Sequence, residues 1–215
     1  MNLAVQILDN QQKEALMHDY AVFGHNRASI GRWLGIASVI LTGAISSLIS
    51  WVYELTGFQA ITGVAVTTGV VYFGLHWLFN KFAWKIPFFK IPNLSGLWKV
   101  AGATLTENGE IKYQWDAEID IEQTWEKIVI CLKTENSISE SYTATLAKAN
   151  GSQAGWRLSY SYSNNPNIEQ SHELYSHRGY CELLIDKSLE FATAAYFNSN
   201  GRRTFGKMEL TRNIR

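Results

Sequence analysis

The sequence predicts a membrane protein with an N-terminal two-helix transmembrane hairpin followed by an all-β domain, an eight-stranded up-and-down antiparallel barrel. Three observations predict it. Two long runs near the start, Trp33–Tyr53 and Phe58–Phe79, contain no Lys, Arg, Asp or Glu. From Leu94 onward apolar residues recur at a period of two instead of at helical spacing. Asn-Gly pairs punctuate that second half at Asn108–Gly109, Asn150–Gly151 and Asn200–Gly201.

A bilayer core takes about 20 mostly apolar helical residues to cross. Both runs meet that length, and only Glu54–Gly57 separate them. In hydrocarbon the backbone must satisfy its own hydrogen bonds, which a helix does. Ser, Thr and Gly dilute both runs, which is the case for the other reading, a buried helical pair in a soluble protein. Lys and Arg stay on the cytoplasmic side. Arg27 and Arg32 precede the first run, Lys81, Lys85 and Lys90 follow the second, and the turn carries only Glu54. The N-terminus and the β domain are therefore expected in the cytoplasm. Trp33, Trp51, Trp77 and Trp84 lie near the span ends, where amphipathic rings prefer the interface. Small residues at four-residue spacing share a helix face. Gly31 and Gly35, Gly43 and Ser47, and in the second run Ala65 and Gly69, are the predicted helix-packing positions, within one hairpin or between protomers.

The expected order is a cytoplasmic segment over 1–29, two transmembrane helices within 30–80 (about 33–53 and 58–79), a linker over 81–93, and a cytoplasmic barrel that binds a ligand over 94–215. In the first segment Ala15, Leu16, Tyr20 and Phe23 suggest a loosely amphipathic tail helix. The segment contains acids and lacks a small-residue cleavage site, so a removable signal peptide is not expected. Pro87 and Pro92 stop helix continuation in the linker.

Eight strands are predicted, at about 95–105, 111–122, 127–135, 138–148, 155–163, 170–185, 189–198 and 202–212. In the second, Tyr113, Trp115, Ala117, Ile119 and Ile121 alternate with Gln114, Asp116, Glu118, Asp120 and Glu122. Such alternation gives one buried and one wet face. Short connections make neighbours pair, and a meander of eight strands closes to remove its edges. The expected interior includes Trp98, Ile130, Tyr142, Leu146, Tyr160, Tyr162, Phe191, Ala195, Phe197 and Met208, with polar Thr134, Glu140, His177 and Thr193 among them. An eight-stranded barrel is filled by side chains or holds one small ligand. The pattern leaves both open.

Formal net charge is zero, with 19 basic and 19 acidic residues. A reader of nucleic-acid polymers carries a basic excess, so none is expected as partner. Cys131 and Cys181 have no metal-ligand spacing, and a reducing compartment fits them. There is no phosphate loop, nucleophile elbow, zinc spacing or carboxylate cluster. An enzyme is disfavoured, and no cofactor or metal is expected. In LSYSYSNNP, Leu158–Pro166, Tyr160 and Tyr162 share a face, where each offers a ring to a base and a hydroxyl to a polar edge. Ordinary core is the alternative for either tyrosine. Arg202 and Arg203 open the last strand, where a guanidinium can pair with phosphate or stand solvated.

Five motifs in this order, NLSGLW (Asn93–Trp98), LSYSYSNNP, HRG (His177–Gly179), YFN (Tyr196–Asn198) and RRTFG (Arg202–Gly206), follow the apolar runs. Over roughly residues 30–212 the chain resembles the two-transmembrane, β-barrel effectors of bacterial CBASS antiphage defence, STING-like cyclic-nucleotide receptors associated with CD-NTase enzymes. The resemblance implies a cytoplasmic barrel that binds a cyclic dinucleotide, self-association on binding, and disruption of the bacterial inner membrane that kills the cell. For a ligand with two bases and two phosphates, the inward residues and the arginines suggest a division of labour. Trp98, Tyr113, Tyr160 and Tyr162 would stack bases. Thr134, Asn165 and His177 would read base edges or ribose. Arg202 or Arg203 would hold phosphate. The alternative is a membrane-anchored, lipocalin-like barrel holding an apolar small molecule or a protein partner.

Overall fold

A computed structural model describes residues 15–24, 26–56, 66–150, 154–167, 176–199 and 203–213. The chain divides into two units. His25–Ile91 forms a helical unit, and the described residues up to Gly24 join those from Pro92 onward in a sheet unit.

In the helical unit, α1 runs over Arg27–Thr56, 30 residues, about 45 Å at 1.5 Å per residue. Its Ser and Thr hydroxyls turn back onto their own helix. Ser38 Oγ donates to the Gly35 carbonyl at 2.7 Å and Thr42 Oγ1 to the Ser38 carbonyl at 2.7 Å. Ser50 and Thr56 do the same, and a hydroxyl satisfied on its own helix costs little in hydrocarbon. Only 6% of its most apolar stretch is covered by the rest of the chain. By length and composition this helix is able to cross a membrane. Helix α2 spans Thr68–Lys81, 14 residues, with the Thr67 hydroxyl accepting from the Val70 amide at its start.

Of the expected hairpin of two full spans, the described residues show one. Among the described residues one helix is long and apolar enough to cross a membrane. In the described part of the second run the helix begins at Thr68, and the first half of the run, with Ala65, lies outside the described residues. The two helices touch, and a Cβ on Gly31 would stand 3.9 Å from Tyr72 Oη of α2. The covered stripe of α1 passes through Gly31, Gly35, Ser38, Thr42, Ile45 and Ile49. Gly43 and Ser47 are exposed, because Gly43 sits one residue, about 100°, past Thr42 and Ser47 sits two residues, about 200°, past Ile45. Gly69 is also exposed, and a Cβ there would meet only Thr67 of its own cap.

The sheet unit contains β1 (His18–Val22), β2 (Gly96–Leu105), β3 (Ile111–Gln123), β4 (Lys127–Lys133), β5 (Ser137–Lys148), β6 (Ala154–Pro166), β7 (His177–Asp186), β8 (Phe191–Ser199) and β9 (Phe205–Arg212). From β2 to β9 each strand pairs antiparallel with the next, and β9 returns to β2, so the sheet closes on itself. Two turns show why neighbours pair. Gly109, at φ +83°, takes the left-handed position of the β2–β3 hairpin, and the Thr106 amide donates to the Glu110 carbonyl across it. At the β7–β8 turn the Asp186 carboxylate accepts from the Glu190 and Phe191 amides.

One strand was not expected. His18–Val22, read from sequence as part of a tail helix, is β1, pairing antiparallel with β4 and parallel with β5. Strands β4 and β5 pair directly only at Cys131–Lys133 with Ile138–Glu140, then part at an irregularity between Ser141 and Thr143, and β1 fills the gap. The segment alternates with period two, Tyr20 and Val22 buried against exposed Asp19 and Ala21, but five residues are too few to outweigh helical spacing. Asn164–Pro166, expected as a turn, continue β6 and pair with Ser137–Ser139.

Several interior positions are corrected. In β8 the inward residues are Ala192, Ala194 and Tyr196, while Phe191, Thr193, Ala195 and Phe197 face outward. Large apolar size suggested the wrong face; the register sets the small Ala194 and Ala192 opposite the inward Met208 and Leu210. The irregularity in β5 turns Tyr142 outward, where the Arg178 guanidinium lies 5.9 Å from its ring centre, and Glu140 alternates out between buried Ser139 and Ser141. The start of the strand expected at 170–185, with Tyr175 as an inward residue, lies outside the described residues.

The interior is divided lengthwise. At the end where the chain arrives from the helices, Trp98, Ile119, Ile121, Ile128, Leu146, Leu158, Leu183, Ile185 and Leu210 are fully buried. Each such side chain stabilises the fold by about 1.5–3 kcal/mol relative to exposure. The opposite end is hollow.

Candidate ligand cavity

A cavity of about 230 Å³ occupies the hollow end, where β2, β4, β6 and β8 finish and β3, β5, β7 and β9 begin. Glycine opens it. Gly102 lies opposite Trp115, Gly179 opposite Tyr162, and Gly206 opposite Tyr196 in the strand register. A Cβ on these glycines would stand 2.3 Å from the Trp115 ring, 2.4 Å from the Tyr162 ring and 2.7 Å from Tyr196 Oη. Each aromatic therefore lies across a neighbouring backbone, and the barrel axis stays open. Trp115 meets Tyr196 edge to face, with ring centres 5.8 Å apart.

Hydrogen bonds hold these walls. Tyr162 Oη donates to Asn198 Oδ1 at 2.6 Å, and Asn198 Nδ2 donates to Thr204 Oγ1 at 2.7 Å. Thr104 and Tyr196 hydroxyls pair at 2.8 Å. Ser139 Oγ donates to Asn164 Oδ1 at 2.7 Å. Deeper in, burial pushes the Cys181 thiol up to about 12, and burial, then the neighbouring Cys181, pushes the Tyr160 phenol well above its ordinary value. Both stay protonated at neutral pH. The described lining contains no Asp, Glu, Lys or Arg. It presents aromatic faces, hydroxyls, carboxamides and the buried His177. This is a surface for stacking and neutral hydrogen bonding. Among the described residues no three His, Cys, Asp or Glu side chains cluster as metal ligands.

The structure brings together five of the expected site residues, Tyr113, Thr134, Tyr160, Tyr162 and His177. Thr134 is also a turn residue, its hydroxyl accepting from the Asn136 and Ser137 amides. Trp98 is elsewhere. It fills the packed end, donating from Nε1 to the Leu94 carbonyl at 3.2 Å with the Arg212 guanidinium over its ring. Asn165 is exposed, and its neighbour Asn164 turns inward instead. Arg203 is exposed before β9 and is not a lining residue, and Arg202 lies outside the described residues. Sequence reasoning missed Thr104, Trp115, Ser139, Asn164, Tyr196, Asn198 and Thr204 as lining residues. The glycines of HRG and RRTFG were a legible signal for the rings that cross them.

Comparison with known proteins assigns both units. The chain matches the family "Cap15, cyclic dinucleotide receptor domain" over residues 89–212, more than half its length. The chain belongs to the Cap15 family. Residues 28–85 match "Cap15, TM helices". A relative from Yersinia aleksiciae, "CD-NTase-associated protein 15", is 35% identical over 212 residues, covering 91% of this chain and 97% of that protein. This Cap15 chain is therefore a CBASS-associated protein with a cyclic dinucleotide receptor domain and membrane helices, and it is membrane-associated. The receptor match coincides with the sheet from its linker through β9 and includes every described residue of the cavity wall. It begins after β1, which the fold supplies from the other side of the helices.

Proposed function

We infer that this Cap15 chain is an antiphage effector whose cavity receives a cyclic dinucleotide, and that binding drives self-association and disruption of the bacterial inner membrane. The observation that carries the reading is the half-hollow sheet, with aromatic and carboxamide groups converging on an open cavity within the segment matched as a receptor domain. Tyr113, Tyr160, Tyr162 and Trp115 are the proposed stacking surfaces. Asn198, Asn164 and His177 are the proposed readers of base or ribose edges. The cavity is slightly smaller than the roughly 300–1,000 Å³ of typical small-molecule sites, so a dinucleotide would fill it in part and extend through the mouth. Arg203, and Arg202 beside it in sequence, are the proposed partners for phosphate there. The helices would cross the inner membrane as a hairpin with both chain ends in the cytoplasm, as the flanking Arg and Lys residues favour. Association would then gather many weak helix contacts into one avid assembly. The ligand shifts that balance only if it prefers the associated state.

The uncharged lining supports a second reading, a receptor for a neutral, largely apolar molecule. Calorimetry on the detergent-solubilised full chain separates the two. Titration with cyclic di-AMP, cyclic di-GMP, cyclic di-UMP and cyclic GMP–AMP is expected to give saturable heat with at least one of them and a concurrent rise in mass by light scattering. No heat with any of the four sinks the first reading. Heat without a change in mass removes the association step.

A further inference from the structure

Both peptide connections between the sheet and the helices meet at one buried side chain. Strand β1 ends at Val22 and α1 begins at Arg27, so Tyr20 sits just ahead of the outgoing connection. The returning connection comes through Ile91 and Pro92 to Leu94, all buried. Gln123 closes β3 at the next inward position after Ile121 and is 6% exposed. Its Oε1 accepts from the Leu94 amide at 2.8 Å. Its Nε2 donates to Tyr20 Oη at 3.0 Å and to the Pro92 carbonyl at 3.3 Å. Tyr20 Oη in turn donates to the Thr124 carbonyl at 3.2 Å. One carboxamide thus holds the chain on its way out and on its way back.

The other end of β1 is bonded to the cavity wall. The Ile130 amide donates to Ser141 Oγ at 2.9 Å, and Ser141 Oγ lies 2.8 Å from His18 Nε2. Ile130 and Ser139 line the cavity, one on each strand of the parting β4–β5 seam. His18 Nδ1 is 2.9 Å from the Asp19 carbonyl, which can only accept. That leaves Nε2 of the neutral ring to accept from the Ser141 hydroxyl, so the bonds run in one direction from Ile130 to β1. Strand β1 has only two register partners in β4 and three in β5. It is a short element whose docking a small change in the seam can bias.

We propose that Gln123 is a positioning residue, the joint that makes the outgoing and returning connections move as one, and that β1 carries the state of the cavity wall to that joint. Loosening Gln123 uncouples ligand binding from membrane action. The proposal rests on the functional reading above for its ligand arm only.

The test uses the full chain in detergent and three variants. Gln123→Met keeps length and bulk but removes both hydrogen-bonding ends. Tyr20→Phe removes only the outgoing contact. Ser141→Ala cuts β1 from the seam. Hydrogen exchange by mass spectrometry follows residues 18–24, residues 92–96 and, as reference, β7 and β8. Gln123→Met is expected to speed exchange at least tenfold in both connections, with the reference strands unchanged. Tyr20→Phe is expected to loosen only residues 18–24. Ser141→Ala is expected to loosen residues 18–24 and to reduce leakage without changing residues 92–96. In vesicles of phosphatidylethanolamine and phosphatidylglycerol, with whichever of the four cyclic dinucleotides binds the wild type, Gln123→Met is expected to keep its Kd within threefold while dye leakage falls at least tenfold. Faster exchange in only one connection with Gln123→Met overturns the joint. Faster exchange throughout the sheet reduces Gln123 to a general stabilising residue and also overturns it. Wild-type leakage with both connections loosened overturns the coupling. If the wild type binds none of the four, the functional reading fails and the exchange pattern alone decides the joint.

Discussion

At the scale of single residues, the cavity floor stores its protons. Cys181 is fully buried beside Tyr160, its register partner on β6. Burial moves the thiol from an ordinary 9.0 up to about 12. An unfolded chain ionises this group near pH 9, whereas the folded chain keeps it neutral. The folded state therefore binds more protons above that point, and stability falls as pH rises. The contribution is complete below about pH 9 and declines from there toward 12, with Tyr160 adding to the same slope at higher pH. Thermal melts of the detergent-solubilised protein are expected to show a flat Tm from pH 7 to 9 and a progressive drop above it. Cys181→Ala is expected to flatten the drop, whatever it does to the absolute Tm. Parallel profiles for the two proteins would remove Cys181 as the cause.

At the scale of elements, the barrel alternates glycine and aromatic across paired strands. In the β6–β7 pair, a Cβ on Gly179 would lie 2.4 Å from the Tyr162 ring and 2.8 Å from Asn198 Oδ1. Gly179→Ala must displace the ring or the asparagine, and such overpacking costs about 1–3 kcal/mol. Denaturant unfolding is expected to show that loss in the wild-type background and a smaller one beside Tyr162→Ala, because the two changes share one space. Equal costs in both backgrounds would place the strain elsewhere. The same pairing explains what the sequence could and could not announce. Strand β3 alternates cleanly and its inward face was legible down to Ile121. Strand β8 was not, because Phe191 and Phe197 outweigh Ala192 and Ala194 by size, yet the alanines are the ones that face inward, opposite Leu210 and Met208. Asn164 faces inward and Asn165 outward because the strand continues where Asn-Asn-Pro suggests a turn. Trp98 is inward as expected, but whether an inward residue lines a cavity or fills a core depends on which end of the barrel it occupies. That is a property of all the strands together, and periodicity within one strand does not contain it.

At the scale of the whole molecule, the boundary between the units is not a single cut. The helices are inserted into the sheet unit, between β1 and β2. Removing residues 1–90 to isolate the receptor therefore removes a strand. Lys127 and Ile128 of β4 and Ala144–Leu146 of β5 would lose their β1 partners on one edge, and unpaired strand edges invite association with other chains. A better division leaves β1 in place and replaces residues 25–91. Tyr20 Oη and the Pro92 carbonyl both lie within hydrogen-bonding distance of Gln123 Nε2. Gly24 is four residues past Tyr20, a reach of at most about 14 Å. A Gly-Ser linker of about ten residues, roughly 33 Å when extended, joins Gly24 to Pro92 without strain. The linked form is expected to be soluble without detergent, to melt in one transition, and to bind any dinucleotide that the full chain binds with a similar Kd. The form that starts at residue 92 is expected to melt at a lower temperature and to aggregate. Since both lack the membrane helices, a difference between them reports β1 alone. Equal Tm values would mean that β1 rests on the sheet without supporting it, and the route from cavity wall to helix would lose its first step.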